Sequence, residues 1–284
     1  MPILPTNLPD KLPDNVSATV AIALAEDIQA GDLTASLIPQ ENSAEATVIC
    51  RDNAIIAGIA WFNEAFAQID KQIKIQWFVK DGEQVKANTL LCEISGNARH
   101  ILTVERTALN FLQTLSATAT ETEKYANVVS HTKCKILDTR KTIPGLRDAQ
   151  KYAVLCGGGK NHRKGLYDGI LIKENHIMAA GSIDNAVLQA KQLHKDIQVE
   201  VEVENLDELN QALLAGADIV LLDNMDNSQL KAAVKQNNGR AKLEASGGVA
   251  LDTIAAIAET GVDFISIGNL TKNINAIDLS MRFK

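Results

Sequence analysis

Between His131 and Lys173 the sequence sets ten lysines and arginines against three aspartates, a local balance of +7 inside a chain whose net charge is −7. A basic island in an acidic chain suits a confined site for a small, multiply charged anion; the alternative is a solvated cationic surface. Within it, Arg140, Lys141, Arg163 and Lys173 are the candidates to meet an anionic substrate. Arginine matches a planar carboxylate with two parallel N–H bonds, whereas lysine presents a compact charge suited to phosphate. His162 follows Gly157-Gly158-Gly159-Lys160-Asn161, a glycine-rich basic loop able to close over a ligand, and its imidazole could donate to a carboxylate or phosphate. Further along, Glu202 and Asp223 could share a Mg²⁺ ion, which usually keeps several waters and takes one or two protein carboxylates besides phosphate oxygens. Read blandly, each acid is a solvated loop residue or a partner of a nearby lysine. Gly247-Gly248 after Ser246, and Gly268 after Ser266-Ile267, would let backbone N–H groups approach a phosphate, although most Gly-Gly pairs are simple turns. No Ser-His-Asp order, HExxH or Walker A sequence is present.

These residues need elements to bring them together, and the second half of the chain supplies a rhythm for it. Six short apolar runs recur: 135–138, 169–173, 199–203, 218–223, 242–246 and 263–268. The last four begin roughly twenty residues apart, the length of a βα unit that builds a parallel sheet. Gly216 and Gly261 fall where helix C-caps belong. The runs end in Thr139-Arg140-Lys141, Lys173, Glu202, Asp223, Ser246-Gly247-Gly248 and Ser266-Ile267-Gly268. Cations thus close the first two strands, carboxylates the next two and glycine turns the last two. In a βα barrel all such ends open on one face, where the active site lies. A barrel is favoured over an open doubly wound sheet because no GxGxxG opens the first unit. Val199 to Glu204 alternates valine with glutamate, so Glu200 and Glu204 should share the face of Glu202, with only the last one or two reaching ligand.

The first half has another texture. A helix is expected from residue 15 to about Asp27, stopped at Gly31, then strands between 45 and 95 with a helix over 61–69. Asp81-Gly82 predicts a hairpin joining the 73–79 run to Val85 onward. A further helix is expected from about Arg99 through Ser116, carrying Arg106. Trp61, Trp77 and Tyr167 are assigned to packing. The segment 79–96 has something of a lipoyl- or biotin-carrier fragment but no lysine at a hairpin tip.

At 284 residues, 46% hydrophobic and 22% charged, the composition is that of an ordinary soluble protein. No uninterrupted run of 18 apolar residues suggests a membrane span, and the N-terminal prolines at 2, 5, 9 and 13 do not make a secretory signal. Cys50, Cys92, Cys134 and Cys156 form no CxxC pair and read as reduced thiols of a cytoplasmic protein. The net charge argues against broad nucleic-acid binding.

Several segments resemble the quinolinate phosphoribosyltransferases: 23–34, Glu105-Arg106-Thr107-Ala108-Leu109-Asn110, the run Asp138 to Arg147 (DTRKTIPGLR), Gly157 to Leu166 (GGGKNHRKGL), 171–176, 201–204, 222–224 and 244–248. The likeness runs from about residue 20 to the C-terminus. It implies an α/β protein with an N-terminal α/β sandwich domain (1–117) and an incomplete TIM-like α/β barrel of fewer than eight strands (118–271), the tail 272–284 packing back on the first. It implies quinolinate and phosphoribosyl pyrophosphate as substrates, Mg²⁺ as cofactor, and a homodimer in which Arg106 reaches the partner's quinolinate. By the same likeness Arg140, His162, Arg163 and Lys173 line the quinolinate pocket, with Thr139 beside them. Lys141 and Lys173 lie near the phosphoribosyl donor, Glu202 and Asp223 face the ribose and Mg²⁺, and Ser246 to Gly248 with Ser266 to Gly268 hold the 5′-phosphate. Lys141, Lys173, Glu202 and Asp223 would be catalytic. One departure stands out: Ala117 replaces the family's usual glycine in Ser116-Ala117-Thr118-Ala119-Thr120, which implies a small local adjustment. Alternatives are an enzyme of another pyridine acid such as nicotinate, a molybdenum-associated protein sharing the architecture, and a non-catalytic sugar-phosphate binder.

Overall fold

The computed structural model describes residues 11–284, so the expectation resting on the prolines at 2, 5 and 9 lies outside the described residues. The chain divides into two compact units. One gathers the described part of 1–123 with Thr142–Gly158 and Leu270–Lys284; the other comprises Lys124–Lys141 and Gly159–Asn269. Among the described residues no helix is long and apolar enough to cross a membrane.

In the first unit, β1 (Ser43–Cys50) buries Ala46, Val48 and Cys50 and leaves the residues between them less covered, the period of a half-buried strand. It pairs on one side with the C-terminal strand Leu279–Phe283 and on the other with β5 (Thr89–Asn97), and β3 (Lys74–Trp77) completes an antiparallel four-stranded sheet. Short β2 (Ala54–Ile55) and β4 (Gln84–Val85) pair with each other. Helices α1 (Val16–Ile28), α2 (Ile59–Ile69), α3 (Ala98–Val128) and α4 (Arg147–Cys156) contribute Leu24, Trp61, Phe66, Ile101, Leu112 and Ala153 to the core. Both tryptophans pack: Trp61 is fully buried, and Trp77 sets its ring edge-on against Phe62 while Nε1 donates to Asn63 at 2.8 Å.

Two expectations fail here. Asp81-Gly82 makes no hairpin between β3 and β4, since β3 pairs with β5. Asp81 is buried, and its carboxylate accepts from the backbone of Ile59 at 3.2 Å and the Tyr152 hydroxyl at 2.7 Å. Burial pushes the Asp81 carboxyl up against the pull of these donors. The dipeptide keeps its tight turn, Glu83 N donating to Lys80 O at 3.1 Å with Gly82 at φ +81°, but the antiparallel partner of β3 comes later, at β5. The second is α3, which continues a dozen residues past Ser116. Past that point the hydroxyls of Thr118, Thr120 and Thr122 each donate to the carbonyl four residues back, at 3.4, 2.7 and 2.8 Å, so the helix itself satisfies them. Ala117 is buried within this helix, where alanine is the better helix former than glycine.

The contact of α4 with α3 gives a first prediction. A Cβ added at Gly157 would stand 2.3 Å from the Ala119 carbonyl oxygen and 2.7 Å from Thr122 Cβ. Because the obstruction is helical backbone, Gly157→Ala should cost about 1–3 kcal/mol, read as a lowered urea midpoint at unchanged m-value. An unshifted midpoint would mean that the two helices separate freely.

The second unit is one parallel sheet. Its strands are β6 (Lys135–Leu137), β7 (Ile170–Ile172), β8 (Val199–Val203), β9 (Ile219–Asp223), β10 (Lys242–Ser246) and β11 (Phe264–Ser266), in the order β6-β11-β10-β9-β8-β7. All six fall on the runs expected of them. The sheet ends at β6 and β7 without closing, an incomplete barrel. Helices α5 (Glu174–Ala180), α6 (Ile183–Leu193), α7 (Leu206–Leu214), α8 (Asn227–Asn237) and α9 (Ile254–Ala258) alternate with the strands. Gly216 and Gly261, at φ +81° and +98°, make the tight exits before β9 and β11. The N-terminal rim is stitched by aspartates: Asp218 accepts from Val199 N at 2.8 Å and Asp263 from Leu243 N at 3.0 Å. That end is structural, which leaves the opposite rim for chemistry.

Candidate active site

At the C-terminal ends of the strands, two groups of side chains form. Lys173, which follows β7 and caps α5, makes a short ion pair with Glu202 of β8. Asp223, the last residue of β9, has its carboxyl pushed up by burial and by the Glu202 charge, and pulled back by Lys173, by its hydrogen bond from Asn224 and by Lys141. Lys141, Lys173, Glu202 and Asp223 therefore share one electrostatic neighbourhood. The turns close around them. Gly268 lies so near that an added Cβ would be 3.0 Å from Lys141 Cδ and 3.7 Å from Thr139 Oγ1, and Thr139 Oγ1 accepts from Lys141 N at 3.0 Å. Gly247 has φ +93°, and a Cβ there would meet Asn224 Oδ1 at 2.0 Å; Gly248, at φ +60°, faces open space. Glycine is required at 247 on both counts.

The second group lies around the loop after Lys160. Asp138 accepts from Asn161 Nδ2 at 2.7 Å and from His162 N at 2.8 Å, fixing the loop to the end of β6. Arg163 Nη1 donates to Gly169 O at 3.1 Å. Burial and the Arg140 guanidinium lower the Arg163 pKa, while Glu200 and Asp168 raise it. The charges of Arg140 and Arg163 thus act on each other, and guanidinium groups match planar carboxylates. Below them, His162 Nε2 is 2.9 Å from Glu200 Oε2 and 3.7 Å from Glu244 Oε2.

The family comparison supplies the remaining observation. Residues 118–282 match the family described as quinolinate phosphoribosyl transferase, C-terminal domain, and residues 32–116 match its N-terminal domain. The chain belongs to the quinolinate phosphoribosyltransferase family. A solved nicotinate-nucleotide pyrophosphorylase from Francisella tularensis is 51% identical, with a TM-score of 0.93 over 98% of this chain and 100% of that one. A Bacillus subtilis relative, named a probable nicotinate-nucleotide pyrophosphorylase (carboxylating), is 42% identical over 90% of this chain and 89% of its own. The chloroplastic nicotinate-nucleotide pyrophosphorylase (carboxylating) of Arabidopsis thaliana is 41% identical over 94% of this chain and 82% of its own.

Within this family frame the basic island resolves into parts. Arg147 and Lys151 belong to the first unit, where Lys151 is 1% exposed, so they leave the cationic rim to Arg140, Lys141, Arg163 and Lys173. Arg106 also lies in the first unit, exposed on α3, in a cavity of about 390 Å³ lined with Asp27, Asn110 and Pro144. Ser266 and Ile267 turn inward: the serine hydroxyl bonds Glu244, and Ile267 N donates to Leu137 O at 3.0 Å. That N–H is committed to the sheet, which leaves Gly247, Gly248 and Gly268 as the open turn backbone. Tyr167 does not pack; it is 78% exposed and lies across Gly165. A loop of charged and glycine residues offers an aromatic ring nothing to bury against. Glu204 is exposed beyond the end of β8 and joins Glu202 in lining a second cavity of about 410 Å³, while Glu200 is buried below. Glu244 and Asp138 were missed as site residues. The signal for Glu244 was there, an acid inside the otherwise apolar strand Leu243 to Ala245.

Proposed function

We infer that this chain transfers the phosphoribosyl group of phosphoribosyl pyrophosphate to quinolinate and releases nicotinate mononucleotide, pyrophosphate and CO₂, a step of NAD biosynthesis. The observation that carries the reading is the mutual charge of Arg140 and Arg163 in the same unit as the Lys141–Lys173–Glu202–Asp223 group. The first pair suits a dicarboxylate and the second a metal-bound diphosphate.

In this reading Arg140, Arg163 and Lys173 hold the quinolinate carboxylates and orient the ring nitrogen toward C1 of the ribose. The N–C1 bond forms as the C1–O bond to pyrophosphate breaks. The C2–carboxylate bond then breaks, its electrons staying on the cationic ring, and C2 takes a proton. Lys141 and Lys173 stabilise the charge that develops on the departing pyrophosphate. Gly247, Gly248 and Gly268 present backbone N–H groups to the 5′-phosphate, with Ser246, Ser266 and Ile267 setting the turns behind them. Thr139 shapes the turn that carries Lys141. Glu202 and Asp223 fit a hard divalent cation: two carboxylates on neighbouring strands, with Asp223 pushed up first by burial and then by the Glu202 charge, offer oxygens that such an ion would stabilise. Bound there, Mg²⁺ would neutralise part of the diphosphate charge. We place the protein in the cytoplasm as a homodimer in which Arg106 completes the partner's quinolinate pocket.

The test is direct. Purified protein given both substrates and Mg²⁺ should release quinolinate-dependent CO₂ and need all three. Equal turnover of nicotinate, or binding of both substrates without CO₂, would replace this reading.

A further inference from the structure

Two side chains below the arginine pair have no part in that chemistry. Glu200 and Glu244 are 4% and 1% exposed, and one oxygen of each, Oε1, has no hydrogen-bond partner. Together with His162 they offer three ligand atoms within 4.8 Å of one another. Two buried carboxylates this close do not both stay ionised unless a cation or a proton compensates them. The imidazole tells which. His162 Nδ1 accepts the backbone N–H of Arg163 at 2.7 Å, so the ring proton sits on Nε2 and points at Glu200. A metal on Nε2 would drive that proton to Nδ1, against the Arg163 N–H. The geometry disfavours an ion and leaves a proton.

We propose that Glu200 and Glu244 are positioning residues: the two buried carboxyl groups together hold the His162 imidazole inward and so set Arg163 in the quinolinate pocket. The inference rests on the functional reading above. The surroundings agree with it. Glu244 is flanked by Glu200 on β8, His162 on the loop, Ser266 on β11 and Asp138 after β6, while its register partner on β9 is the uncharged Leu221. Burial and the Glu200 charge push the Glu244 carboxyl up to about 7, against the pull of His162 and the Ser266 hydroxyl.

The experiment compares wild type, Glu200→Gln and Glu244→Gln in the full-length protein. It measures kcat and both KM values across neutral pH, bound metal by mass spectrometry, and the His162 tautomer by ¹⁵N NMR. In wild type the quinolinate KM should climb as Glu244 ionises above neutrality, because a second buried charge competes with substrate for Arg163. Glu244→Gln should flatten that climb. Glu200→Gln, which loses the acceptor charge, should raise the quinolinate KM about tenfold or more while the phosphoribosyl pyrophosphate KM moves less than about twofold. A climb that persists in Glu244→Gln, equal effects on both KM values, or a divalent ion bound in wild type and lost in Glu200→Gln would each overturn the proposal. The tautomer reads independently of turnover and of either variant's folding. A His162 protonated on Nδ1 sinks the inference even if CO₂ release is as expected, and a wild type without CO₂ release sinks the functional reading even if Nε2 carries the proton.

Discussion

Lys173→Ala should lower kcat/KM by about two to three orders of magnitude, some 3–4 kcal/mol of transition-state stabilisation, and leave the fold almost untouched. The two halves of that expectation come from different physics. As an ion pair, Lys173 with Glu202 is half-exposed on the lysine side, and exposed pairs contribute about 0–1 kcal/mol to stability. The thermal midpoint should therefore barely move. In the proposed reaction Lys173, beside Glu202 and Asp223, stabilises the departing pyrophosphate, so its loss would be felt where charge develops. A further effect has a definite sign. Lys173 is among the groups that pull the Asp223 carboxyl down, against burial and Glu202, which push it up. Without the lysine that carboxyl rises further, stays protonated to higher pH, and the acidic limb of the residual activity should shift toward neutral. Near-wild-type turnover, or a lost fold, would remove Lys173 from the proposed machinery. Arg140→Ala should cost a similar amount, expressed mainly through quinolinate.

The parallel sheet was legible because its signal is carried by length and spacing. Six apolar runs at βα intervals fell on six strands, with glycines where the helices end. Charged groups at successive strand ends were legible for a related reason, since parallel topology sends every such end to the same rim. What stayed hidden depended on partners far away in sequence. Asp81 reads as a turn residue and is one, but only the fold shows that it is buried and that Tyr152, 71 residues on, donates to it. The helix expected to end near Ser116 runs on through threonines whose hydroxyls fold back onto its own carbonyls. Glu200 was placed on the face of Glu202 by strand alternation, but nothing in the run VEVEV says that it meets His162 and Glu244. Alternation gives a face, and only the packing of neighbouring strands gives depth. The split of the basic island is similar: Arg147 and Lys151 are contiguous with the rim cations in sequence and belong to the other unit in space.

Arg106→Ala should abolish at least about 99% of activity, by the scale of a lost charged donor, and mixing it with an equally inactive Lys173→Ala protein should restore about a quarter of the wild-type rate. The restoration separates contribution in trans from any role within one chain. Random exchange of protomers makes half of the dimers mixed. Each mixed dimer has one site that lost both residues and one that lost neither. Features of the first unit motivate the experiment. Arg106 is exposed on a helix whose neighbouring positions Thr107, Ala108 and Leu109 are buried, and Asn110, one turn on, is exposed beside it. Both line a cavity with Ile22, Asp27 and Pro144, and Ile22, Leu33 and Leu37 of the same unit are 72%, 88% and 82% exposed. Apolar side chains left bare on the unit that carries Arg106 are what an isologous partner would cover. Sedimentation should find a dimer for both single variants. If they dimerise and exchange yet mixing restores nothing, Arg106 serves its own chain or none. If instead a monomer retains full CO₂ release, the dimer is dispensable and the cavity around Arg106 belongs to some other task.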